Sequence, residues 1–257
     1  MINILFNGCN GRMGNVIADI VEKRDDCQII CGVDVVDNKN HDFPVYTSFC
    51  HVPADTKIDI IIDFSHFSAL NGIIEFVQSR NIPVVLATTG YSSEDLDKIK
   101  ALSEKVAVFR SANMSIGISL LKNLVQKAAT FLGDDFDIEI VERHHNQKLD
   151  APSGTALAIA DAINEADNNK YEYIYDRHSR SAKRSKHEIG ISAVRGGNIV
   201  GDHEVIFAGN NEILEINHKA LSRGIFGEGA VKAALYLWDK PVGMYNMDML
   251  AQDSLDA

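Results

Sequence analysis

The chain opens with Ile2-Asn3-Ile4-Leu5-Phe6-Asn7-Gly8-Cys9-Asn10-Gly11-Arg12-Met13-Gly14, an apolar run followed by a turn that contains three glycines. Apolar residues then recur at helical spacing: Val16, Ile17, Ile20 and Val21. A second apolar run, Cys27 to Val33, is followed at once by Asp34. A strand, a glycine turn, a helix, a strand and an acid, in this order, predict a Rossmann-type dinucleotide site.

The glycine turn and the acid have separate tasks in such a site. Glycines let the backbone turn tightly and approach a pyrophosphate at the helix N-terminus, although Asn10 stands where the commonest pattern has its second glycine. Asp34 is placed to accept hydrogen bonds from the ribose hydroxyls. Its charge would repel a 2′-phosphate, which favours NADH over NADPH. Arg12 and Lys39 would partly offset that repulsion, so use of both coenzymes stays open.

Strand and helix patterns alternate through the following residues. Apolar runs lie at 58–63, 84–86 and 106–109, and helical patterns lie at 70–78 and 94–102. This alternation predicts a parallel sheet that is covered on both faces. Because ligands bind beyond the carboxyl ends of such strands, we expect the loops that begin at Phe64, Ala87 and Ser111 to converge on the nicotinamide.

The pattern changes after a predicted helix at 116–131. Runs typical of strands then lie at 136–141, 188–194, 204–208 and 213–216, with fewer helices between them. We interpret 195–203 as a glycine-rich hairpin loop, which either covers a ligand or is a plain turn. A helical pattern at 229–238 follows a predicted turn at Gly224 and Gly227, and it should return to the first domain.

These patterns predict an α/β protein with two domains. Residues 1–115 and 224–257 would form a discontinuous Rossmann-type domain with a parallel sheet. Residues 116–223 would form a smaller α+β domain with an open mixed sheet, for substrate binding and oligomerisation.

Proton chemistry and anion binding are combined in the run from Glu142 to Thr155. His144 and His145 exchange protons near neutral pH, and Lys148 adds a positive charge. Ser153 or Thr155 is suited to cap the helix that follows, whose free N–H groups would receive a carboxylate or phosphate at Gly154. The run therefore predicts a site that binds a small dianion and protonates it. The alternative is a structural histidine pair beside an ordinary helix cap.

Composition excludes several classes of function. A net charge of −11 argues against binding to nucleic acid, since phosphate backbones are bound by clustered Lys and Arg. We expect the basic run at 171–187 to be a solvated loop or a subunit contact. The four cysteines lack paired zinc-ligand spacing, which favours free thiols and no metal site. Without a signal-peptide pattern or a membrane-spanning run, the chain is expected to be cytoplasmic.

The chain resembles the 4-hydroxy-tetrahydrodipicolinate reductase family, long called dihydrodipicolinate reductase, of lysine and diaminopimelate synthesis. The likeness covers essentially the whole length and is most specific from Glu142 to Thr155. The other matching motifs are Gly8-x-x-Gly11-Arg12-Met13-Gly14, Asp63-Phe64-Ser65, Thr88-Thr89-Gly90, Ala112-Asn113, Asn217-His218-Lys219-Ala220-x-Ser222-Arg223 and Gly229-Ala230-Val231. Ala87, Ser111 and Met114 depart from the residues that are common in the family.

The resemblance implies a role for each matching residue. His144 would be the catalytic acid/base, and Lys148 would donate a proton to the reduced ring. The substrate carboxylates would be held by His145, Ser153, Gly154 and Thr155. The dinucleotide would be held by Gly8, Cys9, Asn10, Gly11, Arg12, Met13, Asp34, Ala87, Thr88, Thr89, Ser111, Ala112, Asn113 and Met114. A homotetramer is also implied.

The function that these observations favour is NAD(P)H-dependent reduction of a cyclic imine that carries two carboxylates, 4-hydroxy-tetrahydrodipicolinate, to tetrahydrodipicolinate. Three alternatives remain at this point. Another two-domain nicotinamide dehydrogenase would leave the segment from Lys148 to Thr155 without a dianionic partner. A dinucleotide-sensing protein without turnover would not need His144 or Lys148. A hydrolase with both histidines on one metal ion is weaker still.

Overall fold

The computed structural model describes residues 1–36, 41–178 and 180–256, which form two compact units. The first unit comprises Met1–Ile116 and Arg223–Ala257, and the second comprises Gly117–Ser222. These limits differ by one residue from the predicted domain boundaries. The dinucleotide-binding and substrate-binding roles assigned to the two units stay predictions.

The first unit contains a parallel sheet, as predicted. Its strands are β1 (Ile2–Asn7), β2 (Cys27–Val33), β3 (Val45–Tyr46), β4 (Ile60–Asp63), β5 (Val84–Leu86), β6 (Ala107–Arg110) and β12 (Gly243–Tyr245). They neighbour one another in the order β12-β6-β5-β4-β1-β2-β3. The chain order reverses between β1 and β4, and a crevice at the carboxyl ends of two such strands is where open α/β sheets bind ligands.

Helices cover both faces of this sheet: α1 (Arg12–Glu22), α2 (Leu70–Arg80), α3 (Ser93–Ser103), α6 (Gly224–Leu237) and α7 (Met247–Asp256). Successive strand residues point to opposite faces, so Phe6 packs in the cluster with Ile17 of α1, whereas Leu5 packs in the cluster with Ile73 of α2. The two apolar layers fix the sheet and therefore the positions of the loops that follow its strands.

The predicted turn at Gly224 and Gly227 is wrong, because both residues lie inside α6. A Cβ on Gly227 would lie 2.8 Å from Ile20 Cδ1 of α1. The glycine therefore allows α6 to pack closely against α1, and a glycine pattern alone does not distinguish this from a turn.

The second unit contains a mixed sheet, as predicted. Its strands are β7 (Asp137–His144), β8 (Glu172–Ile174), β9 (Glu188–Arg195), β10 (Gly201–Ala208) and β11 (Ile213–Ala220), in the order β11-β10-β7-β9-β8. Helices α4 (Ile116–Leu132) and α5 (Gly154–Ala166) contribute to its apolar core. Strand β7 is central, since it pairs antiparallel with β10 and parallel with β9.

The interpretation of 195–203 as a hairpin loop is wrong, because β7 lies between β9 and β10. The connection instead crosses the end of β7, where Gly196 N donates to His144 O at 2.9 Å and Asn146 N donates to Gly197 O at 3.2 Å. The last part of the predicted loop, from Gly201, belongs to β10.

Most described residues of the basic run at 171–187 are exposed, as the prediction of a solvated loop requires, but three of its arginines form ion pairs with the sheet. Arg177 and Arg180 bind the two carboxylate oxygens of Glu188 at 2.7 and 2.8 Å. Arg184 binds Asp137 and Glu139 of β7 at 2.8 and 3.1 Å. A role of this run in subunit contact stays a prediction.

Candidate active site

The glycine turn after β1 leaves a helix N-terminus open. Gly8 has a φ of +84°, and a Cβ there would lie 2.6 Å from Phe64 O, so only glycine fits. Helix α1 begins after Gly11, without a side-chain cap and without an acidic residue in its first turn. The unpaired N–H groups and the partial positive charge of the helix end are therefore free to receive an anion.

A pocket of about 630 Å³ lies beside this turn, lined by Gly8, Asn10, Gly11 and Asp34 among other residues. Asp34 accepts a hydrogen bond from Asn10 N at 2.9 Å through one oxygen and from Val36 N at 3.3 Å through the other. These bonds orient the carboxylate at the pocket wall. Uncapped N–H groups, glycines in close approach and an oriented acid fit the pyrophosphate and ribose of a dinucleotide.

The other residues predicted to bind the dinucleotide are placed differently. The side chains of Cys9 and Met114 are buried in the apolar core, so only their backbone atoms are available to a ligand. Arg12 is exposed and Met13 is half-buried in the first turn of α1. Lys39 lies outside the described residues.

The remaining predicted contacts follow β5 and β6 and lie outside that pocket: Ala87, Thr88, Thr89, Ser111, Ala112 and Asn113. Ala87 N donates to Asp63 O at 3.0 Å, and Ser111 N donates to Leu86 O at 3.3 Å. Each loop is thus tied to the end of the neighbouring strand, along the carboxyl edge where the prediction put the nicotinamide.

In the second unit, a buried carboxylate holds the first histidine of the pair. Glu142 and His144 are two residues apart on β7, so their side chains lie on the same face. His144 Nδ1 lies 2.6 Å from Glu142 Oε2. Glu142 also accepts two bonds from Arg195, at 2.8 and 2.7 Å, and one from Ser153 N at 3.0 Å. Burial raises the pKa of the Glu142 carboxyl, but the bonds from Arg195, His144 and Ser153 outweigh it and hold the pKa below its usual range.

A second buried histidine lies next to this pair. His203 of β10 is opposite Glu142 in the sheet, its ring centroid is 5.2 Å from that of His144, and its Nε2 lies 3.3 Å from Ser153 Oγ. Burial, and then the charge of His144, lower the pKa of His203 to about 3. The lowered pKa favours the neutral form of His203 near pH 7.

The residues of the predicted anion cradle lie at the N-terminus of α5. Ser153 is its cap and accepts a hydrogen bond from Ala156 N at 3.1 Å, so its hydroxyl is engaged by the helix and by His203. Gly154 is exposed, and a Cβ there would meet nothing within 4 Å. Thr155 follows in the first turn, half-buried. Gly154 has room beside it, but the Asp150 carboxyl already lies near its backbone N–H: the bond from Lys148 first, and less strongly that from Gly154, lower the pKa of Asp150.

The loop between β7 and α5 carries His145 and Lys148, the other two residues that were predicted to act at this site. Lys148 Nζ lies 2.9 Å from Asp150 Oδ1, and Lys148 N donates to the backbone oxygen of His145 at 3.2 Å. This hydrogen bond holds the half-buried His145 and Lys148 in one turn, directly after β7 ends. Within the described part of the chain, His, Cys, Asp and Glu side chains form no group of three that could hold a metal ion.

Sequence reasoning did not assign roles to Glu142, Arg195 or His203. Glu142 could have been found from the sequence, because it lies two residues before His144 on a predicted strand and so shares a face with it. Arg195 and His203 are 53 and 61 residues from Glu142, and nothing local indicates that they meet it. Asn217, His218 and Lys219, which matched by motif, line a small pocket of about 220 Å³ together with His203.

The first unit has a Rossmann-type sheet with an open helix N-terminus, and the second has a mixed sheet that carries a carboxylate–histidine pair. Together they define a two-unit pyridine-nucleotide-dependent oxidoreductase. Residues 2–114 match the family model for the N-terminus of dihydrodipicolinate reductase, and residues 117–250 match that for its C-terminus. The chain belongs to the dihydrodipicolinate reductase family, an oxidoreductase family of lysine and diaminopimelate synthesis.

Relatives of known name agree with this assignment. The 4-hydroxy-tetrahydrodipicolinate reductase of Clostridium tetani (strain Massachusetts / E88) is 48% identical over 250 residues, which cover 97% of each chain. The enzyme of the same name from Caldanaerobacter subterraneus subsp. tengcongensis is also 48% identical, over 98% of this chain and 99% of that one.

The fold also matches solved structures. The dipicolinate-bound dihydrodipicolinate reductase from Paenisporosarcina sp. TG-14 superposes with a TM-score of 0.80 at 23% identity, over 96% of this chain and 97% of that one. A myo-inositol dehydrogenase from Corynebacterium glutamicum has a TM-score of 0.57 at 17% identity, over 92% and 87% of the two chains. Both likenesses concern the fold. No helix in the described ranges combines the length and apolar character that crossing a membrane requires.

Proposed function

We propose that the chain reduces 4-hydroxy-tetrahydrodipicolinate to tetrahydrodipicolinate with NADH or NADPH, NADH being favoured. One hydride and one proton are added, and the 4-hydroxyl group leaves as water. The reduced nicotinamide, when bound, supplies the hydride. The protein supplies binding, charge and the proton.

The observation that carries the proposal is the buried Glu142–His144 pair at 2.6 Å, on the strand that leads directly to the α5 cradle. An imidazole with an ionised partner exchanges protons well. A helix N-terminus with a lysine nearby binds carboxylates. A small dicarboxylate that must be protonated during reduction uses both features.

The proposed roles follow from these positions. His145, Gly154 and Thr155 bind the substrate carboxylates, and Ser153 holds the helix end that receives them. Lys148 donates the proton to the ring that has accepted hydride, and His144 acts as the acid/base. Cationic groups and helix N–H donors also offset the negative charge that builds on the ring as hydride arrives.

The coenzyme is proposed to lie at the turn from Gly8 to Met13. Asp34 would accept hydrogen bonds from the adenosine ribose, and the loops at 87–89 and 111–114 would contact the nicotinamide. The preference for NADH rests on the oriented carboxylate of Asp34, which repels a 2′-phosphate.

A coupled assay tests the proposal. Aspartate semialdehyde, pyruvate and the preceding synthase generate the substrate in place, and loss of nicotinamide absorbance reports turnover. We expect oxidation of NADH or NADPH only when synthase and chain are both present, and omission of the synthase is the control. Dinucleotide binding without oxidation would favour the sensing protein, and oxidation with an amino acid or sugar instead would favour another dehydrogenase.

The assembly and compartment are part of the proposal. We expect a homotetramer, as the family resemblance implies, and we expect it in the cytoplasm. Light scattering of the purified chain measures the assembly, and a monomer that is fully active would contradict it.

A further inference from the structure

We propose that Glu142, Arg195 and Gly201 are positioning residues that fix the tautomer and the ring position of His144, so that Nε2 is the atom that exchanges the proton. This inference rests on the proposed function. Each of the three acts through His144 rather than on the substrate.

The carboxylate of Glu142 determines which imidazole nitrogen carries a hydrogen. An ionised carboxylate only accepts hydrogen bonds, so His144 Nδ1, 2.6 Å away, must be the donor. Glu142 is fully buried, and the charge of Arg195 offsets its own, which keeps the carboxylate ionised although it has no solvent contact. Nδ1–H is therefore held in place, and Nε2 is left for exchange.

Arg195 connects the carboxylate to the loop that carries the cradle. Its guanidinium gives two hydrogen bonds to Glu142 and one, at 2.6 Å, to the backbone oxygen of Asp150. Glu142 in turn accepts from Ser153 N, the cap residue of α5. Four such bonds tie the end of β7, the loop with Lys148 and the start of α5 to one buried charge pair. The position of the histidine is thus coupled to that of the cradle.

Gly201 sets the position of the ring on its other side. A Cβ at Gly201 would lie 3.0 Å from His144 Nε2 and 3.3 Å from its Cδ2. Its φ lies outside the left-handed range, so the backbone does not demand glycine here. The missing side chain leaves the space that the exchanging nitrogen occupies.

The first test is a pair of glycine substitutions. Gly201→Ala pushes the ring by a few tenths of an ångström, and we expect kcat to fall up to about 10-fold, since a misplacement of about 1 Å can cost on the order of 100-fold. KM for the substrate and the affinity for dinucleotide should change little. Gly196→Ala, in the same connection, is the control because a Cβ there meets nothing within 4 Å. Equal activity of both variants would overturn the role of Gly201.

The second test reads the tautomer directly. In protein labelled with ¹⁵N at histidine, with the His144 signals assigned by their loss in His144→Gln, we expect Nδ1 protonated in the parent. Glu142→Gln should move hydrogen to Nε2 and lower kcat on the order of 100-fold or more, as an impaired acid/base does. An unchanged ¹⁵N pattern would reject the role of Glu142.

Loss of one member of a buried charge pair can unfold the protein. Glu142→Gln combined with Arg195→Met removes both charges, and it should fold with the same tautomer change. The spectra do not depend on substrate. If the parent shows the predicted tautomer but no turnover, the proposed function alone is rejected. If it turns over substrate with a mixture of tautomers, the positioning role of the three residues alone is rejected.

Discussion

Asn7 Nδ2 lies 2.8 Å from Asp63 Oδ1, so a buried amide and a buried carboxyl group join the carboxyl ends of β1 and β4. Ser65 adds hydrogen bonds to the same oxygen, from its hydroxyl at 2.5 Å and its backbone N at 3.2 Å. This cluster lies where the sheet order reverses, beside the pocket of the glycine turn. Burial raises the pKa of Asp63, against the opposing effect of these bonds.

Asp63→Asn is expected to change the pH dependence of stability. A carboxyl group whose folded pKa is raised loses stability as the pH rises above its unfolded value of 3.8, because the unfolded chain ionises first. The asparagine of the variant cannot ionise, so it does not lose this contribution. Between about pH 4 and about pH 7, the free energy of unfolding should therefore fall less for the variant than for the parent. Urea unfolding measures it. Asp19→Asn, on the exposed face of α1, is the control, and parallel curves for Asp63→Asn and parent would contradict the prediction.

His144→Gln and Lys148→Ala should each lose turnover by on the order of 10²- to 10⁴-fold, which is the usual contribution of a positioned acid or base. Dinucleotide affinity should be retained, since both residues belong to the second unit. Steady-state rates and fluorescence titration with NADH measure the two properties. Lys127→Ala, an exposed lysine of α4, should match the parent. If both site variants turned over substrate at the rate of the parent, the assignment of His144 and Lys148 as proton donors would be wrong.

Asp34→Ser should weaken NADH binding on the order of 10- to 100-fold, as expected for loss of hydrogen bonds to a charged acceptor. NADPH should be affected less, because the repulsion of its 2′-phosphate is lost at the same time. Titration calorimetry with both coenzymes gives the ratio, and Asp42→Ser, an exposed acid elsewhere in the unit, is the matched control. Equal weakening of both coenzymes would reject ribose recognition by Asp34.

Glu188→Gln should make the second unit less sensitive to acid. Hydrogen bonds from Arg177 and Arg180 lower the pKa of Glu188 to about 2, from an ordinary value of 4.5. Its contribution to stability is therefore present above pH 4.5 and is lost as the pH falls towards 2. Circular dichroism during acid titration should show a shallower loss for Glu188→Gln than for the parent, starting from a lower stability. Glu172→Gln, exposed on β8, should keep the parent profile.

Gly229→Ala should destabilise the first unit, because a Cβ there would overlap the backbone oxygen of Met114. Overpacking of this kind costs about 1–3 kcal/mol or more. Gly72→Ala is the matched helix substitution, since its Cβ would lie 3.6 Å from Phe49 Cδ2, an ordinary contact. There we expect a gain of about 0.5–1 kcal/mol from the better helix former. Thermal unfolding distinguishes the two, and the same sign for both would contradict the packing argument.

Local periodicity was sufficient to predict much of this molecule. Alternation and helical spacing report which face of an element is apolar, and that information lies within a few neighbouring residues. The strands at 27–33 and 84–86 were predicted at their observed limits, and the parallel sheet followed from their alternation with helices. Glycine, acid and histidine motifs likewise indicated the dinucleotide turn and the α5 cradle, because both are built from consecutive residues.

What the tertiary structure alone decided is which distant elements are neighbours. Strand β7 lies between β9 and β10, so the predicted hairpin does not exist and Arg195 reaches Glu142 across 53 positions. Helix packing, not a turn, accounts for Gly227. Such pairings depend on the free energy of the whole packed core and on closing long loops, and no short stretch of the sequence contains either quantity.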